Sequence, residues 1–314
     1  MSTAPQIGTH TSDKALIFEV KGNSLDDGPG IRTVIFFKGC PLNCVWCHNP
    51  EGKSKKPEIS FDKNECIMCG TCLEICPEGA LDRENPFYID PARCTLCMKC
   101  IDKCPSSALS LVGMYWGIDD LVAVIEKDLP FFKNSGGGVT LSGGEPTMHM
   151  DFISLLLRRI RPLGINTLIE TCGLFDLRHF MDKVYPWLST IYFDIKILDE
   201  PAHRKYCGAS NREILHNLEY LHRSCEKDGI ELLIRIPLIP EITATRENLA
   251  SIARYLKDLG ILEIDILPYN PLWPEKCDKI GIGPCSDDDM VSVQWMSHEE
   301  IERCRAVFDG FNLR

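Results

Sequence analysis

Three things are missing from this 314-residue sequence, and each removes a class of function. No apolar run approaches the roughly 18 residues that a bilayer-spanning helix needs. The stretch from Met1 to His10 is polar rather than leader-like, so neither a membrane nor secretion is expected. Positive charge is in deficit: the net charge of -11 is spread along the chain instead of gathered in a tail, which argues against nucleic acid as the partner. Nucleotide signatures are absent too. The glycine-rich segment 133–146 has no lysine–hydroxyl pair, and no G-x-G-x-x-G opens a helix there. The 44% of hydrophobic residues is that of a globular chain able to bury a core, in one large α/β domain or two modest ones.

What the sequence has in excess is cysteine, 17 residues. With no leader, a disulfide framework is disfavoured, and in a reducing, cytoplasmic setting clustered cysteines read as metal ligands. Eleven of them lie between Cys40 and Cys104, while Cys172, Cys207, Cys225, Cys277, Cys285 and Cys304 are scattered and read as small buried side chains. Cys40, Cys44 and Cys47 can reach three corners of one iron–sulfur cube, and no matching fourth follows, which leaves one iron open to a substrate or cofactor. On spacing alone, a zinc knuckle or free buried cysteines remain alternatives.

The second cluster of cysteines is more specific. Cys66, Cys69, Cys72 and Cys76-Pro77 repeat as Cys94, Cys97, Cys100 and Cys104-Pro105, a C-x2-C-x2-C-x3-C-P run given twice, 28 residues apart. This is the spacing of bacterial two-cluster ferredoxins, in which the fourth cysteine crosses to the other cluster. The expected sets are therefore Cys66, Cys69, Cys72, Cys104 and Cys94, Cys97, Cys100, Cys76. Such fully ligated clusters carry electrons.

Around this segment the pattern alternates. Ala15 to Val20 and Arg32 to Lys38 read as strands, and a helix is expected over Gly117 to Phe132. Strands then follow at Gly138–Ser142, Asn166–Glu170, Thr190–Ile195, Glu231–Ile236 and Glu263–Pro268. They alternate with helices at Phe152–Ile160, Leu177–Tyr185, Arg212–Cys225 and Asn248–Leu259, and a last helix is expected over Ser297 to Phe308. The fold class that follows is α/β, six β/α units forming an incomplete barrel, with an insertion after the first unit. Three segments are expected: 1–55, carrying the three-cysteine loop; 56–112, the two-cluster insert; and 113–314, the remainder of the barrel with a C-terminal segment.

Sites in such folds are built at the carboxyl ends of parallel strands. The three-cysteine loop leaves the end of Arg32–Lys38, and Ser142, Gly143, Gly144 and Glu145 end the next parallel strand with bare backbone and one carboxylate, suited to an ammonium group. Each could equally be a tight turn or loop surface. Glu170, Asp194, Lys196, Arg235 and Asn270 recur at later strand ends, and together they suit a zwitterionic ligand.

These residues resemble a known family. Cys40-x3-Cys44-x2-Cys47 with Trp46, and Ser142-Gly-Gly-Glu-Pro146, are similar to two motifs of radical S-adenosylmethionine (SAM) enzymes. Asp27-Gly-Pro-Gly-Ile-Arg-Thr33, the Cys-His-Asn-Pro run at 47–50, the ferredoxin-like insert and Asn134–Thr140 narrow the resemblance to activating enzymes of glycyl radical enzymes.

The resemblance covers about Leu16 to Asn270. It implies an incomplete (β/α)6 TIM-like barrel with a ferredoxin-like two-cluster insert, three 4Fe-4S clusters of which one has an open iron, and S-adenosyl-L-methionine as cofactor. It implies reductive cleavage of SAM to methionine and a 5'-deoxyadenosyl radical, which takes hydrogen from a glycine α-carbon of a partner glycyl radical enzyme. The electron comes from a flavodoxin or ferredoxin. Trp46, Cys47 and His48 are implied beside the adenine, Gly143, Gly144 and Glu145 at the amine, and Asp194, Ile195 and Lys196 as a further cofactor edge. Asn270 stands where relatives often have His. Glu170 stands where some have Asp, at an implied monovalent-cation site. No protein residue is expected to act as the catalytic group. Two other readings compete: a radical SAM enzyme acting on a small molecule or another peptide, and an electron-transfer iron–sulfur protein.

Overall fold

In a computed structural model, residues 13–282, 291 and 293–314 are described. The strands are β1 (Lys14–Ser24), β2 (Arg32–Phe37), β3 (Glu58–Phe61), β4 (Leu109–Val112), β5 (Met114–Gly117), β6 (Gly138–Gly143), β7 (Asn166–Thr171), β8 (Thr190–Asp194), β9 (Glu231–Pro237), β10 (Glu263–Leu267) and β11 (Asn312–Leu313). The helices are α1 (Thr71–Ile75), α2 (Lys99–Asp102), α3 (Ile118–Ser135), α4 (Met150–Ile160), α5 (Leu177–Lys183), α6 (Glu200–Cys207), α7 (Arg212–Asp228), α8 (Arg246–Leu259), α9 (Trp273–Lys279) and α10 (His298–Arg305). None of the described helices is long and apolar enough to cross a membrane.

One sheet runs in the order β11-β10-β9-β8-β7-β6-β2-β1-β5. The strands from β2 through β6 to β10 are parallel neighbours, which is the expected six-unit array. β1 pairs antiparallel with both β2 and β5, so the sheet is mixed. Neither β5 nor β11 is legible in the sequence, because both are short edge strands without a periodic pattern of their own. α6 and α9 were also not expected, because each is a short helix between loops.

The two-residue alternation of strands sorts the side chains into two layers. Ile169, Phe193, Ile234 and Ile266 face outward, into the core shared with α4, α7 and α8. Leu168, Tyr192 and Leu233 face inward as a small separate cluster. Two residues further along their strands, Glu170, Asp194 and Arg235 face inward as well. Strand period alone therefore delivers three charged groups to the carboxyl end of the barrel interior.

The amino end of that interior is closed by Arg32, which is fully buried. Its Nε donates to Thr140 Oγ1 at 2.5 Å, Nη2 to Val139 O at 2.7 Å, and Nη1 to Pro29 O at 3.2 Å and Asn166 Oδ1 at 3.1 Å. This single guanidinium ties the Gly-Pro-Gly turn to β6 and β7.

Between β2 and α3 the chain builds a second, small core, tied to the rest by the Lys38–Glu58 and Lys279–Asp62 ion pairs. β3 and β4 pair antiparallel beside α1 and α2, around a core that includes Ile59, Phe61, Leu81 and Tyr88. The cysteine repeat is also written in the backbone. Positive φ angles occur at Met68 and Leu96, at Gly70 and Met98, and at Gly79 and Ser107, each pair 28 residues apart. Left-handed conformations at non-glycine residues cost about 1 kcal/mol or more and persist only where surroundings impose them.

Arg32→Leu removes the buried donor to Thr140 Oγ1 and Val139 O, and the part-buried one to Pro29 O and Asn166 Oδ1. It is expected to cost about 3 kcal/mol, read as a fall in thermal midpoint of roughly 5–10 °C. A midpoint within a degree of the parent would refute the keystone role.

Candidate active site

The three-cysteine loop is closed at its base by backbone alone. Gly39 N donates to Gly52 O at 2.6 Å, Gly144 N to Phe37 O at 2.8 Å and Glu145 N to Gly39 O at 2.7 Å. A Cβ on Gly144 would fall 2.3 Å from Gly52 O and 2.4 Å from Gly39 O, and one on Gly143 (φ +117°) 2.3 Å from Phe37 N. The glycines were expected to admit a ligand. In the structure their missing side chains admit the cluster loop itself.

Above this junction lies a cavity of about 310 Å³, walled by Cys40, Cys44, Cys47, Trp46, His48, Asn49, Ser142, Gly143, Gly144, Glu170, Cys172, Asp194, Lys196, Arg235, Tyr269 and Asn270. Trp46, Cys47, His48, Gly143, Gly144, Asp194, Lys196 and Asn270 thus meet in one place, as the sequence led one to expect.

Glu145 and Ile195 do not join them. Glu145 is fully buried and faces away. Its Oε1 accepts from Thr147 N at 3.2 Å, Thr147 Oγ1 at 2.7 Å and Thr171 Oγ1 at 2.9 Å, and its Oε2 accepts from Cys172 N at 2.8 Å. The carboxylate expected to meet an amine is spent on holding the end of β7. The Ile195 side chain is buried in the main core, and its N–H bonds Arg235 O at 3.0 Å.

The floor is a four-charge ring. Arg235 Nη1 donates to Glu170, Arg235 Nε to Asp194 Oδ1 at 2.9 Å, Lys196 Nζ to Asp194 Oδ2 at 3.2 Å, and Ser142 Oγ to Glu170 Oε2 at 2.5 Å. Burial pushes the Glu170 carboxyl up, against the pull of Arg235. Burial also works against the Asp194 carboxylate, but Arg235 and Lys196 together outweigh it and hold the group below its usual range. Two cations and two anions cancel, so the ring is neutral as a set and offers both signs to a ligand.

His48 forms another wall. Its Nε2 donates to Asn270 O, which leaves Nδ1 as an acceptor, and burial lowers the ring's pKa. The Asn270 side chain is turned to local use, its Oδ1 accepting from Leu272 N at 3.2 Å. The loop after Cys47 is also gripped from outside by Lys276 on α9, whose Nζ bonds His48 O at 3.1 Å and Asn49 Oδ1 at 3.3 Å. Nothing in the sequence around Lys276 signalled this.

Of the scattered cysteines, Cys172, Cys207, Cys225, Cys277 and Cys304 are buried, while Cys285 lies outside the described residues. Cys172 and Cys207 nevertheless stand at the site. The strand-end rule that selected Glu170 applied equally to Cys172, two residues further on.

In the 56–112 segment, two small cavities collect the thiols. One is lined by Cys66, Cys69, Cys72 and Cys104, the other by Cys76, Cys94, Cys97 and Cys100. Each volume is lined by four thiols, a donor set whose chemistry fits an iron–sulfur cluster.

Comparison with known proteins agrees with this geometry. A family model described as the radical SAM superfamily matches residues 93–259, a 4Fe-4S dicluster domain matches 65–108, and a 4Fe-4S single cluster domain matches 26–72. A trans-4-hydroxy-L-proline dehydratase activating enzyme of Clostridioides difficile is 39% identical over 302 residues, 95% of this chain and 97% of the relative. The chain belongs to the radical SAM superfamily, among the activating enzymes of glycyl radical enzymes. An isethionate sulfite-lyase activating enzyme of Nitratidesulfovibrio vulgaris is 39% identical over 267 residues, 83% of this chain and 86% of the relative. A solved domain of a pyruvate-formate lyase-activating enzyme from Bacteroides vulgatus is 29% identical with a TM-score of 0.44, covering 57% of this chain and 98% of that one. As an activating enzyme of this superfamily, the protein uses iron–sulfur and SAM chemistry to act on a glycyl radical enzyme.

Arg235→Met removes the cation shared by Glu170 and Asp194. Asp194 is depressed in the parent, so the contribution of its carboxylate is present above the ordinary carboxylate range and lost as pH falls through the lowered value. In the variant that loss is expected at higher pH, and the thermal midpoint should decline on acidification earlier than in the parent. Superimposable profiles of thermal midpoint against pH would contradict this.

Proposed function

We propose that Cys40, Cys44 and Cys47 hold a 4Fe-4S cluster with one open iron, that SAM occupies the adjoining cavity, and that two further clusters sit on the crossed cysteine sets of a ferredoxin-like insert. When bound, the cluster and SAM together supply reductive cleavage to methionine and a 5'-deoxyadenosyl radical, which abstracts hydrogen from the α-carbon of a glycine in the partner. The observation that carries this reading is the convergence of the three thiols and the Glu170–Asp194–Lys196–Arg235 ring on one cavity at the carboxyl ends of parallel strands.

The chain's own residues then have separable tasks. Lys196 and Arg235 face the ligand's carboxylate, and Asp194 and Glu170 face its amine, the ring re-pairing with a zwitterion at little electrostatic cost because its own charges already cancel. The backbone of Gly143 and Gly144 edges the amine. Trp46, His48 and Tyr269 wall the apolar part and exclude water, and neutral His48 presents an Nδ1 acceptor in a fixed tautomer. Glu170, with Ser142 beside it, is the residue at which a monovalent cation is expected.

The insert supports an inward electron path from a flavodoxin or ferredoxin. Cys69 and Cys97 are its exposed thiols, and Ile67 and Met68 beside Cys69 are 63% and 61% exposed, an apolar spot next to the first set. On this reading the chain divides into 1–55 and 113–314, which share the barrel, and 56–112. The same geometry fits any partner that can offer a glycine loop to the open side of the barrel, glycine being the residue whose α-carbon no side chain shields.

Anaerobic reconstitution with iron, sulfide, SAM and a reductant is expected to yield methionine and 5'-deoxyadenosine, with a glycine-centred spin signal on the cognate partner. Cys44→Ala should abolish both products, and surviving cleavage would refute the ligand assignment. Cys69→Ala should slow reduction by a protein donor while SAM binding persists. Parent-like rates with every donor would instead sink the relay.

A further inference from the structure

Among the described residues, none beyond α9 lines the cavity, yet the chain there backs its wall. Val291 is buried in the apolar cluster that holds Trp46, Ile239 and Tyr269, and Met296 packs against the same cluster from its edge. Val293 and Trp295, by contrast, are 65% and 63% exposed. A large apolar side chain left in water beside a reactive site points to something that covers it.

Trp295 and Met296 line a second cavity, a groove of about 810 Å³ between the turn after β9, the first half of α8, and α10. That turn is a shared wall. Pro237 and Ile239 face the site, while Pro240, Glu241 and Ala244 face the groove. The wall is stiffened from within. Thr243, fully buried, accepts from Ile239 N at 2.7 Å and donates to Pro237 O, and Asn248 Nδ2 donates to Thr243 O at 2.9 Å. Glu241 holds a left-handed φ of +63°, a conformation that persists only where the surroundings impose it. The groove therefore adjoins the site at the carboxyl end of the strands, one rigid turn away.

We propose that this groove seats the glycyl radical enzyme, with an apolar side chain of the polypeptide flanking the target glycine held against Trp295. The inference rests on the reading that the partner's glycine enters the cavity. Scale commits the groove to that occupant. Only a short loop can enter a cavity of about 310 Å³, so the protein carrying the loop lies against whatever surrounds the opening. A stable contact between proteins covers about 800 Å² on each side. The lining is also of the right kind: Trp295, Met296, Arg246 and Arg303 are of the residue types enriched at interfaces. Two arginines are balanced there by Glu241 and Glu300, so on a chain of net charge -11 the groove is a neutral, partly apolar patch. A segment seated in it sets the register of the glycine in the cavity, because the wall between the two does not yield.

The test uses the reconstituted full chain and the full-length glycyl radical enzyme on which it raises a glycine-centred spin signal, at varied concentrations of that enzyme. Trp295→Ala is expected to raise KM for it about tenfold with kcat within about twofold of the parent. SAM cleavage without the partner and the thermal midpoint should stay at parent values, because the indole is exposed and lies outside the cavity. Trp295→Phe, which keeps a ring, should recover most of the loss. Ala250→Arg, which fills the groove from α8, should act in the same direction as Trp295→Ala. An unchanged KM in both Trp295→Ala and Ala250→Arg would overturn the proposal. So would a Trp295-dependent dimer of this chain in sedimentation, or slower reduction by a protein donor at unchanged KM, since each gives the groove to another occupant. A parent chain that cleaves SAM but raises no glycine signal on any glycyl radical enzyme overturns the functional reading and the groove with it. A normal signal with unchanged KM overturns the groove alone, so the two failures are distinguishable.

Discussion

The site depends on a contact with no side chains in it. Gly39, Gly52, Gly143 and Gly144 bring three stretches of backbone within hydrogen-bonding distance: the end of β2, the return of the cysteine loop and the end of β6. Any side chain at Gly144 would push the loop off the sheet by more than the bonds at 2.6 to 2.8 Å can follow. The thiols are therefore placed by the parallel pairing of β2 with β6, a rigid feature, rather than by the loop's own preferences. A reactive centre that must meet a cofactor on one side and a partner on the other gains its precision from that junction.

The second organising element is electrostatic. Glu170, Asp194, Lys196 and Arg235 are drawn inward by strand alternation, and burial alone would work against every one of these charges. They remain because each is paired, and Arg235 joins two carboxylates from neighbouring strands. Breaking such a set is costly, while exchanging partners within it is not. That is the property a site for a zwitterion needs.

Much of this was legible in the sequence. The six parallel strands and their helices follow from period, with boundaries moved by a residue or a few: α7 runs to Asp228 and not Cys225, and α5 stops at Lys183, ahead of Pro186. The cysteine spacing gave the two four-thiol sets because spacing and repeat are one-dimensional facts. The orientation of a side chain at a strand end is not. Glu145 sits beside the two glycines in sequence, yet the turn after β6 sends its carboxylate to β7. Cys207 and Lys276 come from helices with no motif, and only tertiary packing brings them to the loop.

Arg32 on β2 pairs with Gly138 on β6, and the whole 56–112 segment lies between them. Closing so long a loop has an entropic cost that grows slowly with length, but it delays the contact. Pairing of Glu58 with Val112 short-circuits it, leaving only the segments 38–57 and 113–137 to span. The small β3–β4 sheet, with a core of its own, thus shortens the excursion that separates the first two parallel strands, and a contact far apart in sequence becomes one between near neighbours in space.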